Sequence, residues 1–278
     1  MAAVLAVRLE DGRVVVLKAR PAAQAIRASR CVAVQRALAD QGFPCARPIT
    51  QVREVDGFAV HAEEWLPGGE MLRDAGAKAA RLSAELLADL MASLERIPSE
   101  PPLPAPEWVR WDHDGPGRFP PNPRHDPLAA MTTVPAVILD TARRARERLR
   151  RAELPSVLGH ADWEAQNLRW RDGTAHAVHD WDSLAWLPEA AIVGAACGAF
   201  ASTEIPTLAP LESSQEFLDA YAQARGRAFD KGELEVAWAA SLWPALHNAR
   251  GEILYAQPPV ALTPLEDQAE ARLRLAGA

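Results

Sequence analysis

Two short stretches, GHADWEAQNLRW and HAVHDWDSL, constrain the fold of this chain more than any others. Each contains a short β-rich run, and Asp172-Gly173 between the runs is a turn signal, so the pair predicts a β-hairpin. Asp162 and Asn167 precede the first predicted strand, and Asp180 follows the second. Folding the hairpin therefore brings three polar side chains to one end.

The residue types at this end indicate a particular chemistry. Carboxylate and carboxamide oxygens are ligands that Mg²⁺ prefers, and the ion is usually held by one or two carboxylates together with substrate phosphates. Phosphoryl transfer also needs a carboxylate that positions the attacking hydroxyl. The cluster thus predicts Mg²⁺-dependent phosphoryl transfer. A metal-dependent hydrolase is a weaker alternative, because such sites commonly employ several histidines.

The first 70 residues predict a small α+β lobe. The sequence VLAVRLEDGRVVVLKAR is a β-hairpin turning at Asp11-Gly12, and a second hairpin turns at Asp56-Gly57. Between them, apolar residues at helical spacing predict a helix over residues 24–41. The order strand, strand, helix, strand, strand indicates a small α+β lobe.

The rest of the chain is predicted to be mainly helical. Amphipathic patterns indicate helices over residues 77–96 and 134–152, and most of the chain after Pro188 is helical in pattern. We expect two lobes, residues 1–68 for nucleotide binding with the hinge and residues 69–278 for catalysis and substrate binding.

A proline-rich stretch, residues 98–127, interrupts the helical pattern of the second lobe. A loop of this length within a compact domain is usually functional or mobile. Two interpretations are open, a surface insertion without a role and a substrate lid.

The quoted motifs carry a family resemblance. HADWEAQN resembles the H-x-D-x-x-x-x-N catalytic loop of protein kinases and, more closely, the H-G-D-x-x-x-x-N loop of the aminoglycoside phosphotransferase-like kinases. VHDWDSL is similar to their metal-binding stretch, VVVLKAR to their lysine-carrying strand and AEEWLPGG to their hinge. The resemblance covers most of the chain. It implies a bilobal α+β fold of the protein-kinase type, with a small N-terminal β-sheet lobe and a larger, mainly α-helical C-terminal lobe.

In the second lobe, the resemblance implies a role for each polar residue of the two motifs. Asp162 would be the catalytic base, while Asn167 and Asp180 would be ligands of Mg²⁺. Asp182 would help to hold a second metal ion or brace the first set of ligands. His160 would be a structural residue of the loop.

In the first lobe, the resemblance implies nucleotide contacts. Lys18 would be the partner of the α- and β-phosphates, and the hinge would contribute Glu64, Trp65 and Leu66. The phosphoryl donor would be ATP or GTP. The sequence leaves the choice between them open, because it depends on the backbone geometry of the hinge.

The sequence departs from the family pattern at two places in the first lobe. The glycine-rich strand and turn that cover the phosphates are absent before the first hairpin. The helix lacks the glutamate that pairs with the strand lysine, and this place falls near Cys31 and Gln35. We therefore expect weaker ATP binding and a less well positioned Lys18. A pseudokinase or truncated scaffold with impaired nucleotide binding is thus the alternative to an active kinase.

The acceptor is expected to be a small molecule with a hydroxyl group, which includes aminoglycosides and other amino-alcohol or sugar-like compounds. A cationic acceptor would match the acidic residues that follow the metal motif, namely Glu189, Glu204, Glu212 and Glu216. Trp163 and Trp186 are candidates for the substrate cleft, although tryptophans more often pack in the core.

Charge and cysteine content restrict the remaining function classes. A net charge of −7 argues against nucleic acid as a partner, because binding phosphate backbones needs a clustered positive surface. The basic run 143–151 is interpreted as a solvated helix face.

Three scattered cysteines predict free thiols in a reducing cytoplasm. The apolar run 190–201 is too short to cross a bilayer. The sequence does not indicate the oligomeric state.

Overall fold

The computed structural model describes residues 3–115, 118–120, 133–205 and 207–278. It opens with a four-stranded antiparallel sheet in the order β1-β2-β4-β3. The strands are β1 (Ala3–Arg8), β2 (Val14–Pro21), β3 (Arg53–Val55) and β4 (Phe58–Glu64), and helix α1 (Ala25–Asp40) connects β2 to β3. Both predicted hairpins and the predicted helix are present, so the α+β lobe is confirmed.

Strand register places four polar residues on one face of this sheet. Lys18 pairs with His61 across β2 and β4, while Glu63 pairs with Val16 and Arg20 with Ala59. Because side chains alternate along a strand, Lys18, Arg20, His61 and Glu63 point to the same side. All four are buried, and we call them the buried polar face.

The remainder of the chain is mainly helical, as predicted. Its helices within the described ranges are α2 (Ala77–Leu94), α3 (Ala136–Arg150), α4 (Glu189–Ala199), α5 (Leu211–Arg225), α6 (Lys231–Leu254) and α7 (Leu262–Leu275). Helix α6 packs against α3, α4 and α7, and α2 packs against α5. At Gly194 an added Cβ atom would lie 2.1 Å from the carbonyl oxygen of Ala237, so α4 and α6 need glycine to approach this closely. The fold is a bilobal α+β fold.

Two small antiparallel sheets carry the motif segments. The predicted hairpin is formed by β6 (Leu168–Arg171) and β7 (Thr174–Val178). Strand β5 (Ser156–His160) pairs with β8 (Leu184–Pro188), a strand that the sequence did not predict. Because β5 leads into one motif and β8 follows the other, this pairing holds the two motif segments side by side.

Part of the proline-rich stretch contacts both lobes. Arg30 of α1 donates a hydrogen bond to the carbonyl oxygen of Pro101 at 2.8 Å, and Arg27 of α1 donates to that of Pro102. Farther along, Trp108 donates from Nε1 to the carbonyl oxygen of Ala161 at 3.2 Å. Residues 116–117 and 121–127 of this stretch lie outside the described residues, so the lid and the insertion both stay predictions.

The division of the chain after residue 68 also stays a prediction.

Among the described residues, helices that combine the length and the apolar character needed to cross a bilayer do not occur.

Candidate active site

The loop after β5 is fixed by hydrogen bonds within its own motif and by one hydrogen bond to the other motif. The Nδ2 atom of Asn167 donates to the carbonyl oxygen and to Oδ2 of Asp162, both at 2.9 Å. Buried His160 accepts from the backbone N–H of Asp162 at Nδ1 (3.3 Å) and lies 3.0 Å from the carbonyl oxygen of His179 at Nε2. Burial lowers the pKa of His160, so its ring is neutral and donates from Nε2 to His179. His160 therefore joins the two motifs.

Asp180 completes the predicted cluster. Its backbone lies in the left-handed region, with φ 57° and ψ 52°, and its Oδ2 accepts a hydrogen bond from Ser183 at 2.6 Å. Burial and the nearby charge of Asp180 raise the pKa of Asp162 to about 6, although the hydrogen bond from Asn167 opposes the rise. The hairpin thus brings Asp162, Asn167 and Asp180 together.

Glu164 is a third carboxyl group at this site that the sequence reasoning missed. The side chain is buried. Burial and the charge of Asp162 raise its pKa to about 8, against a hydrogen bond from the amide of Gln166. The available signal was an acidic residue two positions after Asp162 within the motif. Glu164 adds a further acidic group to a site that is largely buried from solvent.

This donor set fits a divalent cation that arrives with phosphate. Because the amide nitrogen of Asn167 is used by Asp162, Oδ1 is its atom for a cation, and Asp180 adds a carboxylate. Among the described residues, groups of three His, Cys, Asp or Glu side chains arranged to hold a metal ion are absent. Mg²⁺ does not require one, since it usually keeps waters and completes its coordination with substrate phosphates.

Lys18 has an acidic partner, although the helix α1 lacks the glutamate that was expected to pair with it. Its Nζ atom lies 2.9 Å from Oε1 of Glu63, a residue of β4. Gln35 of α1 donates to the other oxygen of Glu63 at 2.9 Å. Although burial favours the neutral acid, the His61 ring, the Lys18 charge and the Gln35 amide hold the pKa of Glu63 at about 2. The carboxylate comes from the neighbouring strand because the register of β2 and β4 places it on the same face.

The hinge residues lie where β4 ends. The backbone N–H of Glu64 donates to the carbonyl oxygen of Arg47 at 2.9 Å, while its side chain is exposed. Trp65 is 47% exposed and Leu66 is partly buried. Their contact with a nucleotide stays a prediction.

Asp182 is oriented differently from the rest of the cluster. Its two carboxylate oxygens accept hydrogen bonds from Nε and Nη2 of Arg20, at 2.6 and 2.5 Å. Its role as a metal ligand therefore stays a prediction that competes with this contact.

The candidate substrate residues mostly have partners within the protein. Trp163 is buried and donates to the carbonyl oxygen and hydroxyl of Ser83, which is a core role, while Trp186 is partly buried. Three of the four acidic residues form ion pairs with arginines: Glu189 with Arg225 and Arg227, Glu204 with Arg73, and Glu216 with Arg81.

Comparison with known proteins gives one family and many similar structures. The sequence profile of the phosphotransferase enzyme family (APH) matches residues 2–238. An amicoumacin kinase in complex with AMP-PNP, Ca²⁺ and Ami has a TM-score of 0.66 at 13% identity, covering 98% of this chain and 85% of its own. Spectinomycin phosphotransferase with ADP and spectinomycin has a TM-score of 0.55 at 14% identity, covering 99% of this chain and 84% of its own. An aminoglycoside phosphotransferase from Alicyclobacillus acidocaldarius has a TM-score of 0.56 at 12% identity, covering 100% of this chain and 90% of its own. No curated protein matches the sequence.

Proposed function

Because the chain belongs to the phosphotransferase enzyme family, we propose that it is a small-molecule kinase that transfers the γ-phosphoryl group of ATP or GTP to a substrate hydroxyl. The observation that carries this proposal is the cluster of Asp162, Asn167 and Asp180 at one end of the β6–β7 hairpin. Its acidic and amide oxygens match what phosphoryl transfer needs from a protein.

Each residue of the proposed site has a separate task. Asp162 orients the acceptor hydroxyl and takes its proton, which a pKa near 6 permits because the group is mainly ionised at neutral pH. Lys18, held by Glu63, binds the donor phosphates. Asn167 and Asp180 would hold Mg²⁺, which would neutralise charge on the phosphates when bound.

The alternative is a pseudokinase or scaffold of the same fold with impaired nucleotide binding. Part of its motivation is the missing glutamate on the helix of the first lobe, but Glu63 of β4 supplies a carboxylate to Lys18 instead. Nucleotide binding therefore decides between the two functions.

The acceptor that we propose is an aminoglycoside or another amino-alcohol or sugar-like compound. Support comes from the amicoumacin and spectinomycin kinases, which have the same fold. The acidic residues after the metal motif give little support for a cationic acceptor, because Glu189, Glu204 and Glu216 are neutralised by arginines. A panel of neutral and cationic hydroxyl compounds is therefore the appropriate screen.

Thermal unfolding with ATP or GTP, in the presence and absence of Mg²⁺, tests the proposed function. A ligand at 100 times its Kd stabilises the folded state by about 2.7 kcal/mol. The variant Asp180→Asn removes the charge but tolerates the left-handed backbone, since asparagine enters this region readily. We expect a Mg²⁺-dependent rise in Tm that this variant loses.

The matched control is Asp267→Ala, which removes an exposed carboxylate on α7 and should retain the full rise. If neither nucleotide raises the Tm of the wild type, the kinase proposal is wrong and the scaffold alternative takes its place. If binding is present, transfer to the acceptor panel then identifies the substrate.

A further inference from the structure

Arg20 connects the first lobe to the segment that carries Asp180. It lies on β2 two residues after Lys18, and its side chain is 4% exposed. Its guanidinium engages both oxygens of Asp182, from Nε at 2.6 Å and from Nη2 at 2.5 Å. Such bidentate pairs fix orientation as well as distance. Both carboxylate oxygens of Asp182 are therefore directed at the first lobe.

A second arginine holds the backbone of the same segment. Nη2 of Arg27, on α1, donates to the carbonyl oxygens of Asp182 and Leu184, both at 2.7 Å. Asp182 lies in the short 3₁₀ turn Trp181–Ser183, directly after Asp180. Ser183 of this turn donates to Asp180 through its hydroxyl at 2.6 Å. A shift of the turn would thus move Asp180 as well.

On its other side, Arg20 continues into the group that holds Lys18. Nη1 of Arg20 lies 3.1 Å from Nδ1 of His61, which must accept, and Nε2 of His61 is then the protonated nitrogen. This nitrogen is 3.8 Å from Oε2 of Glu63, which is an electrostatic contact longer than a hydrogen bond. Glu63 pairs with Lys18 at 2.9 Å. The buried polar face and Asp182 thus form one run of neighbouring groups from Lys18 to the turn after Asp180.

We propose that Arg20 is a positioning residue that holds Asp180 at a fixed place relative to Lys18, and that Asp182 serves as the partner of Arg20 and not as a metal ligand. This inference rests on the proposed function, in which Lys18 and Asp180 must meet the same nucleotide. The charges along the run, from Lys18, Glu63, Arg20 and Asp182, balance to zero. A metal ion bound by Asp182 would have to compete with a buried guanidinium that already uses both oxygens.

The test uses Arg20→Gln, Asp182→Asn and the double variant in the full chain. The matched control is Arg73→Gln, because Arg73 also forms a bidentate pair, with Glu204 at 2.8 and 2.9 Å, but on the surface. Arg20→Lys is a second variant that keeps the charge and loses the fork, in case Arg20→Gln does not fold.

The first readout is hydrogen exchange of the ligand-free protein. The amides of Ser183 and Ala161 are bonded to the carbonyl oxygens of Asp180 and Ser183, so they report on the turn. We expect faster exchange over residues 180–184 in Arg20→Gln and Asp182→Asn, but not in Arg73→Gln. Unchanged exchange in the first two variants would overturn the inference, whatever the activity.

The second readout is turnover and its dependence on Mg²⁺. We expect kcat to fall by about 10- to 100-fold in either single variant, as for residues that support a metal ligand, with a smaller loss in Arg20→Lys. The double variant should match the single variants within about twofold, because both changes break one contact. The Mg²⁺ concentration for half-maximal rate should change by the same factor, within about twofold, in Arg20→Gln and in Asp182→Asn, because both changes release the same turn.

A large rise in the Mg²⁺ requirement of Asp182→Asn alone would instead make Asp182 a metal ligand and refute the inference. Failure of the proposed function is distinguishable, because the wild type itself would then bind no nucleotide. If the wild type binds and turns over while Arg20→Gln behaves like Arg73→Gln, only the positioning role is wrong.

Discussion

The two polar clusters of this molecule differ in charge balance. On the buried polar face, Glu63 is paired with Lys18, and its pKa is held at about 2. In the second lobe, burial and the charge of Asp180 raise the pKa of Asp162 to about 6, and burial with the charges of Asp162 and Asp180 raises the pKa of Glu164 to about 8. The carboxylate of the first cluster has a basic partner within the protein, whereas the second cluster contains more acidic groups than basic ones.

The difference indicates which cluster is organised for folding and which for a ligand. Ion pairing that lowers the pKa of a carboxylate stabilises the folded state at neutral pH, and burial that raises it has the opposite effect. An excess of acidic groups persists in proteins mainly where function needs it. Substitutions in the two clusters should therefore have opposite effects on stability.

Asp162→Asn should have the largest effect. Removing a general base typically costs about 10²- to 10⁴-fold in rate. The variant should nevertheless be at least as stable as the wild type near pH 8, because it removes a charge that burial and Asp180 disfavour. Steady-state kinetics and thermal unfolding of the same preparation measure both. Near-normal turnover, or a clear loss of stability, would contradict this assignment of the second cluster.

Glu63→Gln should have the next largest effect, of opposite sign on stability. Breaking a buried ion pair from one side usually costs about 3–5 kcal/mol of unfolding free energy. Because the pKa of Glu63 is lowered from 4.5 to about 2, its contribution is present above pH 4.5 and is lost as the pH falls toward 2. Chemical denaturation at pH 7 and pH 3 should show the difference from wild type shrinking at the lower pH. A constant difference would mean that the lost packing, and not the ion pair, matters.

Glu164→Gln should show the reverse pH dependence, because it removes a group that destabilises the folded state at high pH. The pKa of Glu164 is raised from 4.5 to about 8, so the folded state holds a proton that the unfolded state releases, and stability falls as the pH rises through this window. A neutral glutamine removes that loss. We expect the variant to match the wild type near pH 4 and to exceed it by a few kcal/mol near pH 9, since one pKa unit corresponds to about 1.4 kcal/mol. Equal stability at both pH values would show that Glu164 is not held in its protonated form.

The second cluster could be predicted from sequence because it is local. Asp162, Asn167 and Asp180 lie within 19 positions of one another around a hairpin whose turn, Asp172-Gly173, is legible in the sequence. Strand β8 was missed although it follows directly, because its pairing with β5 joins segments that lie on either side of the hairpin and have no turn of their own.

The first cluster could be predicted only in part, because its partners are distant in sequence. The sequence indicates the strand lysine, but it places the expected acidic partner on α1, whereas β4 supplies that partner. Alternation in FAVHAEE places His61 and Glu63 on one face, and this was the available signal. The contact of Arg20 with Asp182 joins residues 162 positions apart and follows only from the arrangement of the lobes.

Glu204→Gln should have the smallest effect, and it isolates burial as the cause of the differences above. Glu204 and Arg73 form a bidentate pair at 2.8 and 2.9 Å, yet both side chains are 61% exposed. Water and salt screen such a pair, and exposed ion pairs usually contribute about 0–1 kcal/mol. Denaturation at low and high ionic strength should show a loss of this size that vanishes in salt. A loss as large as that of Glu63→Gln would mean that geometry, and not burial, determines how strongly an ion pair stabilises this fold.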